Sequence, residues 1–370
     1  MRSLLPVFLL LVTLLAPPAW AQGSVETLPP PGPVSSGETS PSAAAAEAAG
    51  DQAAEAGVPP PPAPPCGTQP ITIARMAWPS AALLAEIHAR LLAEQFGCTV
   101  TLQSGDLAAT ASAMGATGQP AVAPEMWVTR VADIWNAAMQ GQKVRQAGVS
   151  YDETLFEGWF VPDYVAERWA DIGTIDGVKA HVGEFAGAGG RPRFISCPPD
   201  WACALINRNM LRAYGLEASF DIVEPGNRFE MDTLIAEAVG RREPFLFYYW
   251  QPNAVLAQFA FLPVALNAYD KDAFTCMGRS ACAAATASGF APDPVVVALA
   301  EWVYLGAPQV AAYFARARMP FSEMNRMLQQ LGEPGATVET VAQLFVAERS
   351  EIWRPWAGLP AVPAEVPVAQ

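Results

Sequence analysis

The strongest constraint on the fold is an alternation that runs from residue 71 to residue 140. Residues 71–77 (ITIARMA) form a short apolar run of the length and β-branched content of a buried strand. Residues 81–96 then set Leu84, Ile87 and Leu91 along one helical face and stop at Gly97. The pattern repeats as strand 99–102, helix 106–115, strand 121–127 and helix 132–140. Helices that return the chain between successive strands build a parallel sheet, so the chain is of the α/β class. Ligands of such sheets gather at the carboxyl ends of the strands. Trp78 lies just past the first strand, and Glu125-Met126-Trp127 ends the third.

A second α/β unit follows. Residues 157–161 (EGWFV) read as a strand, with a helix start at Pro162-Asp163-Tyr164. Residues 171–193 read as a loop whose glycines at 183–190 lack the spacing of a nucleotide fingerprint. Residues 194–207, FISCPPDWACALIN, pass from a short strand through Cys197 and a Pro198-Pro199-Asp200 turn into a helix at Trp201. Asp200 is a good N-cap, which would leave the N–H groups of Trp201, Ala202 and Cys203 at a positive helix end able to hold an anion. Strand 220–223, helix 231–241 and strand 245–249 come next, the last running into Trp250. Residues 264–266 form a short strand, and Cys276 and Cys282 close a surface loop. Residues 295–300 fit a strand, though their length also permits a helix. Amphipathic helices at 307–317, 321–330 and 337–349 complete the fold.

The two ends of the chain are of another kind. Residues 1–21 carry Arg2, an apolar run and Ala19-Trp20-Ala21, the pattern of a cleaved secretory signal peptide too short to span a bilayer. No cysteine follows the cleavage signal, so a lipid anchor is not indicated. Residues 22–65 are Pro/Ala-rich with no aromatic residue, a disordered tether by composition. Residues 357–370 read as a frayed tail. The formal charge of −14, or −15 without Arg2, argues against a nucleic-acid partner. Six cysteines in a secreted chain point to disulfides. Cys197/Cys203 and Cys276/Cys282 are local pairs of equal spacing. Cys66 and Cys98 each precede a strand at the same sheet edge, so their pairing is geometrically plausible. No Cys-x-x-Cys occurs and the two histidines are His88 and His181, so neither a metal site nor a cofactor is expected.

Three tryptophans, Trp127, Trp201 and Trp250, fall at equivalent ligand-edge positions, with Trp78 a fourth. A quaternary ammonium has no hydrogen to donate, and indole faces attract it through their quadrupoles while covering its methyl groups. Each such contact contributes ~1 kcal/mol when exposed and ~2 or more when desolvated. Three or four together support micromolar binding, about −8 kcal/mol. Core packing is the competing reading for any single tryptophan, and Trp135, Trp169, Trp302 and Trp353 sit in patterns that favour it. Glu125 would complement the cation in a binding site or serve as a base in an enzyme, where His181 would be its partner. His181, near Glu184, reads as a solvated surface residue, and His88 as a flank residue of its helix. No nucleophile elbow, zinc-protease motif or phosphate loop is present.

At these residues the chain resembles the periplasmic substrate-binding proteins of ABC importers for glycine betaine, choline and related quaternary amines. The resemblance rests on ISCPPDWAC (195–203), INRNMLRAYGL (206–216), LFYYWQP (246–252) and PEMW (124–127), and covers residues 71–356. It implies a two-lobed, type II clamshell with the ligand between the lobes and the ammonium caged by Trp127, Trp201 and Trp250. It implies carboxylate binding by the Ala202 and Cys203 N–H groups, a disulfide between Cys197 and Cys203, and a further aromatic at Trp78. Where some betaine-binding members have a histidine, four residues past the first cage tryptophan, this chain has Val131. The expected lobes are residues 66–156 plus 291–356, and residues 157–290. The expected protein is a periplasmic monomer, active in osmoprotection, that hands its ligand to a permease and ATPase in other chains. A ligand-sensing periplasmic domain with the same pocket, or a secreted enzyme acting on a small amine, are the alternatives.

Overall fold

The computed structural model describes residues 64–153, 156–186 and 190–360. The expected signal peptide, nearly all of the expected tether, the centre of the glycine cluster and most of the expected tail lie outside the described residues. Among the described residues, ten strands form two five-stranded sheets. In chain order they are β1 (Ile71–Met76), β2 (Val100–Gly105), β3 (Val122–Trp127), β4 (Val144–Val149) and β5 (Glu157–Pro162), then β6 (Arg193–Ile195), β7 (Asp221–Val223), β8 (Leu246–Trp250), β9 (Phe261–Pro263) and β10 (Val295–Ala300).

The sheets share one plan. The first runs β2-β1-β3-β10-β4 and the second β7-β6-β8-β5-β9. In the first, β1 is parallel to β2 and β3, whereas β10 is antiparallel to β3 and β4. In the second, β6 is parallel to β7 and β8, whereas β5 is antiparallel to β8 and β9. The antiparallel strand of each sheet is the one on which the chain arrives from the other: β5 on the way out, β10 on the way back. Each sheet is the centre of one lobe of the clamshell.

Burial explains the strand sequences. β3 (VAPEMW) and β10 (VVVALA) are buried at every position, as strands covered by helices on both faces must be. The helix Pro79–Phe96 lies on the first sheet with Leu83, Leu84, Ile87 and Leu91 fully buried. It ends at Gly97, whose φ of 70° is a left-handed cap that most residues resist. All three cysteine pairs are disulfides: Cys66–Cys98, Cys197–Cys203 and Cys276–Cys282. Among the described residues no helix is long and apolar enough to cross a membrane.

Several local expectations are corrected. Sequence reading gave no strand at β4, because VRQAGV lies mostly exposed or half-buried and carries no apolar pattern. The segment read as a loop at 171–193 contains a short helix, Ile175–Ala180, capped by the Thr174 side chain, and β6 opens within its last residues. The short strand expected at 264–266 is β9, three residues earlier. Cys276 sits on a helix, Lys271–Met277, rather than on a loop. At 295–300 the strand reading holds, and the helix that the length also permitted does not form. His88 is no flank residue: it is 2 % exposed, with Nδ1 2.7 Å from the Tyr313 hydroxyl of the helix Pro308–Arg316. Burial lowers its pKa to about 3, so the ring is held neutral.

Candidate ligand site

In the first lobe the site is organised by one carboxylate. Trp127 is the last residue of β3 and pairs with Val295, the first residue of β10. Trp78 precedes the helix Pro79–Phe96 at the end of β1. Between them Glu125 is fully buried. Its Oε1 accepts hydrogen bonds from Trp78 Nε1 (2.8 Å), Ser80 Oγ (3.0 Å) and Trp127 Nε1 (3.1 Å). Its Oε2 accepts one from the Tyr151 hydroxyl (2.8 Å). Burial raises the Glu125 pKa, while the four donors pull the other way. A single oxygen therefore fixes the orientation of two indole rings and places an acidic group directly behind them.

The second lobe holds its tryptophans by packing. Trp250 is the last residue of β8 and pairs with Glu157, the first residue of β5. This is the register of Trp127 against Val295, repeated in the other sheet. Tyr249 stacks on the Trp250 ring with centroids 4.6 Å apart and planes 18° apart, and Trp201 meets the same ring at 5.8 Å and 57°. Trp201, not Asp200, is the N-cap residue of the helix Ala202–Ala213, and no side chain caps that end. The Pro-Pro-Asp turn is one residue longer than the sequence reading allowed, and the Trp201 N–H donates to the Pro198 carbonyl (3.0 Å). Trp201 thus drops out as an anion donor, and Ala202 and Cys203 lead the helix. The Cys197–Cys203 disulfide closes the turn beneath it.

A residue that sequence reading missed joins the two halves. The Arg130 guanidinium lies 4.6 Å from the Trp127 ring centroid and 5.4 Å from that of Trp250. Its Nε donates to Asp293 Oδ2 (3.0 Å) and its Nη2 to Glu157 Oε2 (3.3 Å). Asp293 also accepts from the Thr129 N–H (3.1 Å), and Glu157 from the Tyr248 hydroxyl. Burial opposes the guanidinium charge, but Glu157, Tyr248 and Asp293 outweigh it and leave the Arg130 pKa raised. Both acids stand where the chain crosses between sheets, Glu157 opening β5 and Asp293 two residues before β10.

Other residues singled out from the sequence fall elsewhere. Val131 is buried in the first lobe's core, so nothing replaces the histidine of the resembling family at that point. His181 stacks on Trp169 and bonds Asp171 (2.8 Å), whereas all the hydrogen bonds described for Glu125 lie in the first lobe; the two are not brought together. Trp135 and Trp353 are core, and Trp302 donates to the Gly118 carbonyl. Tyr151 and Ser80 are additions to the site. Tyr151 follows β4, the strand without an apolar signature, so its place at the ligand edge was not legible.

A family model described as the substrate binding domain of ABC-type glycine betaine transport systems matches residues 69–348. No curated protein sequence matches the chain. Solved structures similar to it include a glycine betaine/L-proline-binding protein of an ABC transporter from Borrelia burgdorferi. That protein is 15% identical, with a TM-score of 0.56 over 79% of this chain and 97% of that one. A lactococcal protein of the same kind, in its closed conformation with glycine betaine, is 13% identical with a TM-score of 0.57 over 78% of this chain and 99% of that one. An ABC-transporter choline-binding protein in complex with choline is 14% identical with a TM-score of 0.55 over 80% and 93%.

Proposed function

Because the chain belongs to the family of substrate-binding domains of ABC-type glycine betaine transport systems, we propose that its ligand is a quaternary ammonium compound caged by Trp127, Trp250, Trp201 and Trp78. The observation that carries this reading is the convergence of tryptophans from both lobes on one positive charge. Two of their rings stand 4.6 and 5.4 Å from the Arg130 guanidinium, the distance and setting a ligand's ammonium requires. Glu125 adds a buried carboxyl group behind the first-lobe rings. The lobes, residues 66–156 plus 291–356 and residues 157–290, close on the ligand about the two crossings.

Within that class the charges favour a ligand whose far end is neutral. Glu157 and Asp293 already engage Arg130, Val131 supplies no donor, and the Trp201 N–H is already committed. Only the Ala202 and Cys203 N–H groups remain to meet a carboxylate. Choline therefore fits better than glycine betaine, with carnitine and proline betaine behind. The protein works in the periplasm, captures the amine and presents its closed form to a permease whose ATPase is a separate chain. It binds without turnover.

Calorimetric titration of the mature protein with choline and glycine betaine, using trimethylamine and proline as controls, tests both levels. Micromolar choline with weaker betaine supports the whole reading. Betaine ahead of choline keeps the cage and overturns the charge argument. Absence of heat from every quaternary amine returns the tryptophans to packing roles.

A further inference from the structure

The Trp250 ring already carries a cation and an aromatic neighbour. Tyr249 lies nearly parallel to the ring on one side, with centroids 4.6 Å apart. Arg130 stands over the same ring, 5.4 Å from its centroid, and over Trp127 at 4.6 Å. It is not a passing contact. Salt bridges to Asp293 (3.0 Å) and Glu157 (3.3 Å) hold it there, and its side chain is about one-third exposed, at 31 %.

We propose that Arg130 is a built-in occupant of the cage, a tethered cation that a ligand's ammonium must displace from between Trp127 and Trp250 before the lobes can close on it. This inference rests on the cage reading above and deepens it, for it assigns what the ligand competes with. Planar guanidinium and spherical ammonium seek the same negative ring face, so both cannot occupy it at contact distance. Displacement sets a threshold: a ligand must bring enough methyl surface and charge to exceed an interaction already made. Small primary amines bring the same unit charge but less methyl surface and a tighter hydration shell to shed, so they are rejected, and quaternary amines pass. Leaving the rings strains the ion pairs to Glu157 and Asp293 that hold the guanidinium there, and that loss adds to the threshold.

The probe is tetramethylammonium, which has no anionic group and so cannot use Arg130 as an anchor. Calorimetry on the full mature chain compares wild type, Arg130→Gln and the double variant Arg130→Gln/Glu157→Gln. The double variant removes one charge of each sign, so that Glu157 is not left without its cation, and Asp293 keeps the hydrogen bond from the Thr129 N–H. Both variants should bind tetramethylammonium at least fivefold more tightly than wild type, with thermal unfolding confirming that each is folded. Equal or weaker binding by both, with wild type binding, overturns displacement and leaves the cage intact. A gain in the single variant alone also overturns it, since charge without occupancy then explains the effect. If none of the three proteins binds, the cage reading itself fails, and the inference with it.

Discussion

The two lobes present their tryptophans at the same sheet position but secure them by different means. In the first, Trp78 and Trp127 are pinned through their ring N–H groups to one buried carboxylate, Glu125. In the second, Trp250 is pressed against Tyr249, and Trp201 rides on a disulfide-closed turn. Hydrogen bonds to a buried carboxyl acceptor fix an angle and fail abruptly when the acceptor is lost. Stacked rings tolerate small rotations and lose area gradually. The first lobe is therefore the rigid half of the site and the second the adaptable half. In the proposed cage that division leaves one wall preformed and the other free to adjust to the methyl groups of a bound cation.

Three substitutions break or sharpen the comparison. The largest effect is expected from Glu125→Ala, which strands the N–H groups of Trp78 and Trp127 and the hydroxyls of Ser80 and Tyr151. It should lower stability by at least ~3 kcal/mol and bring ligand binding below detection. Urea unfolding together with titration measures both, and a loss under ~1 kcal/mol would mean that the rings hold themselves. Trp201→Ala should behave differently, weakening binding by about 2 kcal/mol, roughly 30-fold, while stability changes by less than ~1 kcal/mol. An equal loss of fold and binding would make the second lobe as rigid as the first.

The smallest effect concerns acid. His88 is buried in the first lobe with its pKa lowered from 6.5 to about 3, so its folded form binds fewer protons than the unfolded chain between those values. Its contribution to stability is complete above pH 6.5 and is lost as the pH falls toward 3, at about 1.4 kcal/mol per pH unit within that window. Glu125 works in the opposite sense: a carboxyl whose folded pKa is raised contributes most below its ordinary 4.5 and loses that contribution as the pH climbs through the raised value. His88→Gln, which can still bond the Tyr313 hydroxyl, should flatten the acid limb of stability by one proton. An unchanged slope between pH 6 and 4 would show that the ring is not held neutral.

What the sequence disclosed follows from where its signals are local. Strand ends carrying Trp127 and Trp250 were readable because short apolar runs stop at an aromatic residue and a turn. The three cysteine pairs were readable from spacing and sheet edge. The tether between Arg130 and its acids was not, for its partners lie 27 and 163 residues away and in WVTRV the arginine looks like the solvated start of a helix. The donors around Glu125 were hidden in the same way: Ser80 and Tyr151 are 45 and 26 residues distant, and only the sheet brings them together. The capping error at Asp200 has a different origin. Propensity names the best capping side chain, whereas two preceding prolines decided where the turn ends.

The Cys66–Cys98 disulfide has a mechanical meaning. It spans a sequence separation of 32 that encloses β1 and the helix Pro79–Phe96, the elements that carry Trp78 and underlie the first wall of the site. Tension applied to the chain ahead of Cys66 crosses the sulfur bridge to Cys98 and continues from there. The enclosed strand and helix are bypassed by the load. A pull on the chain ahead of Cys66 therefore leaves their backbone hydrogen bonds unstretched, and this wall of the candidate site is insulated from the load.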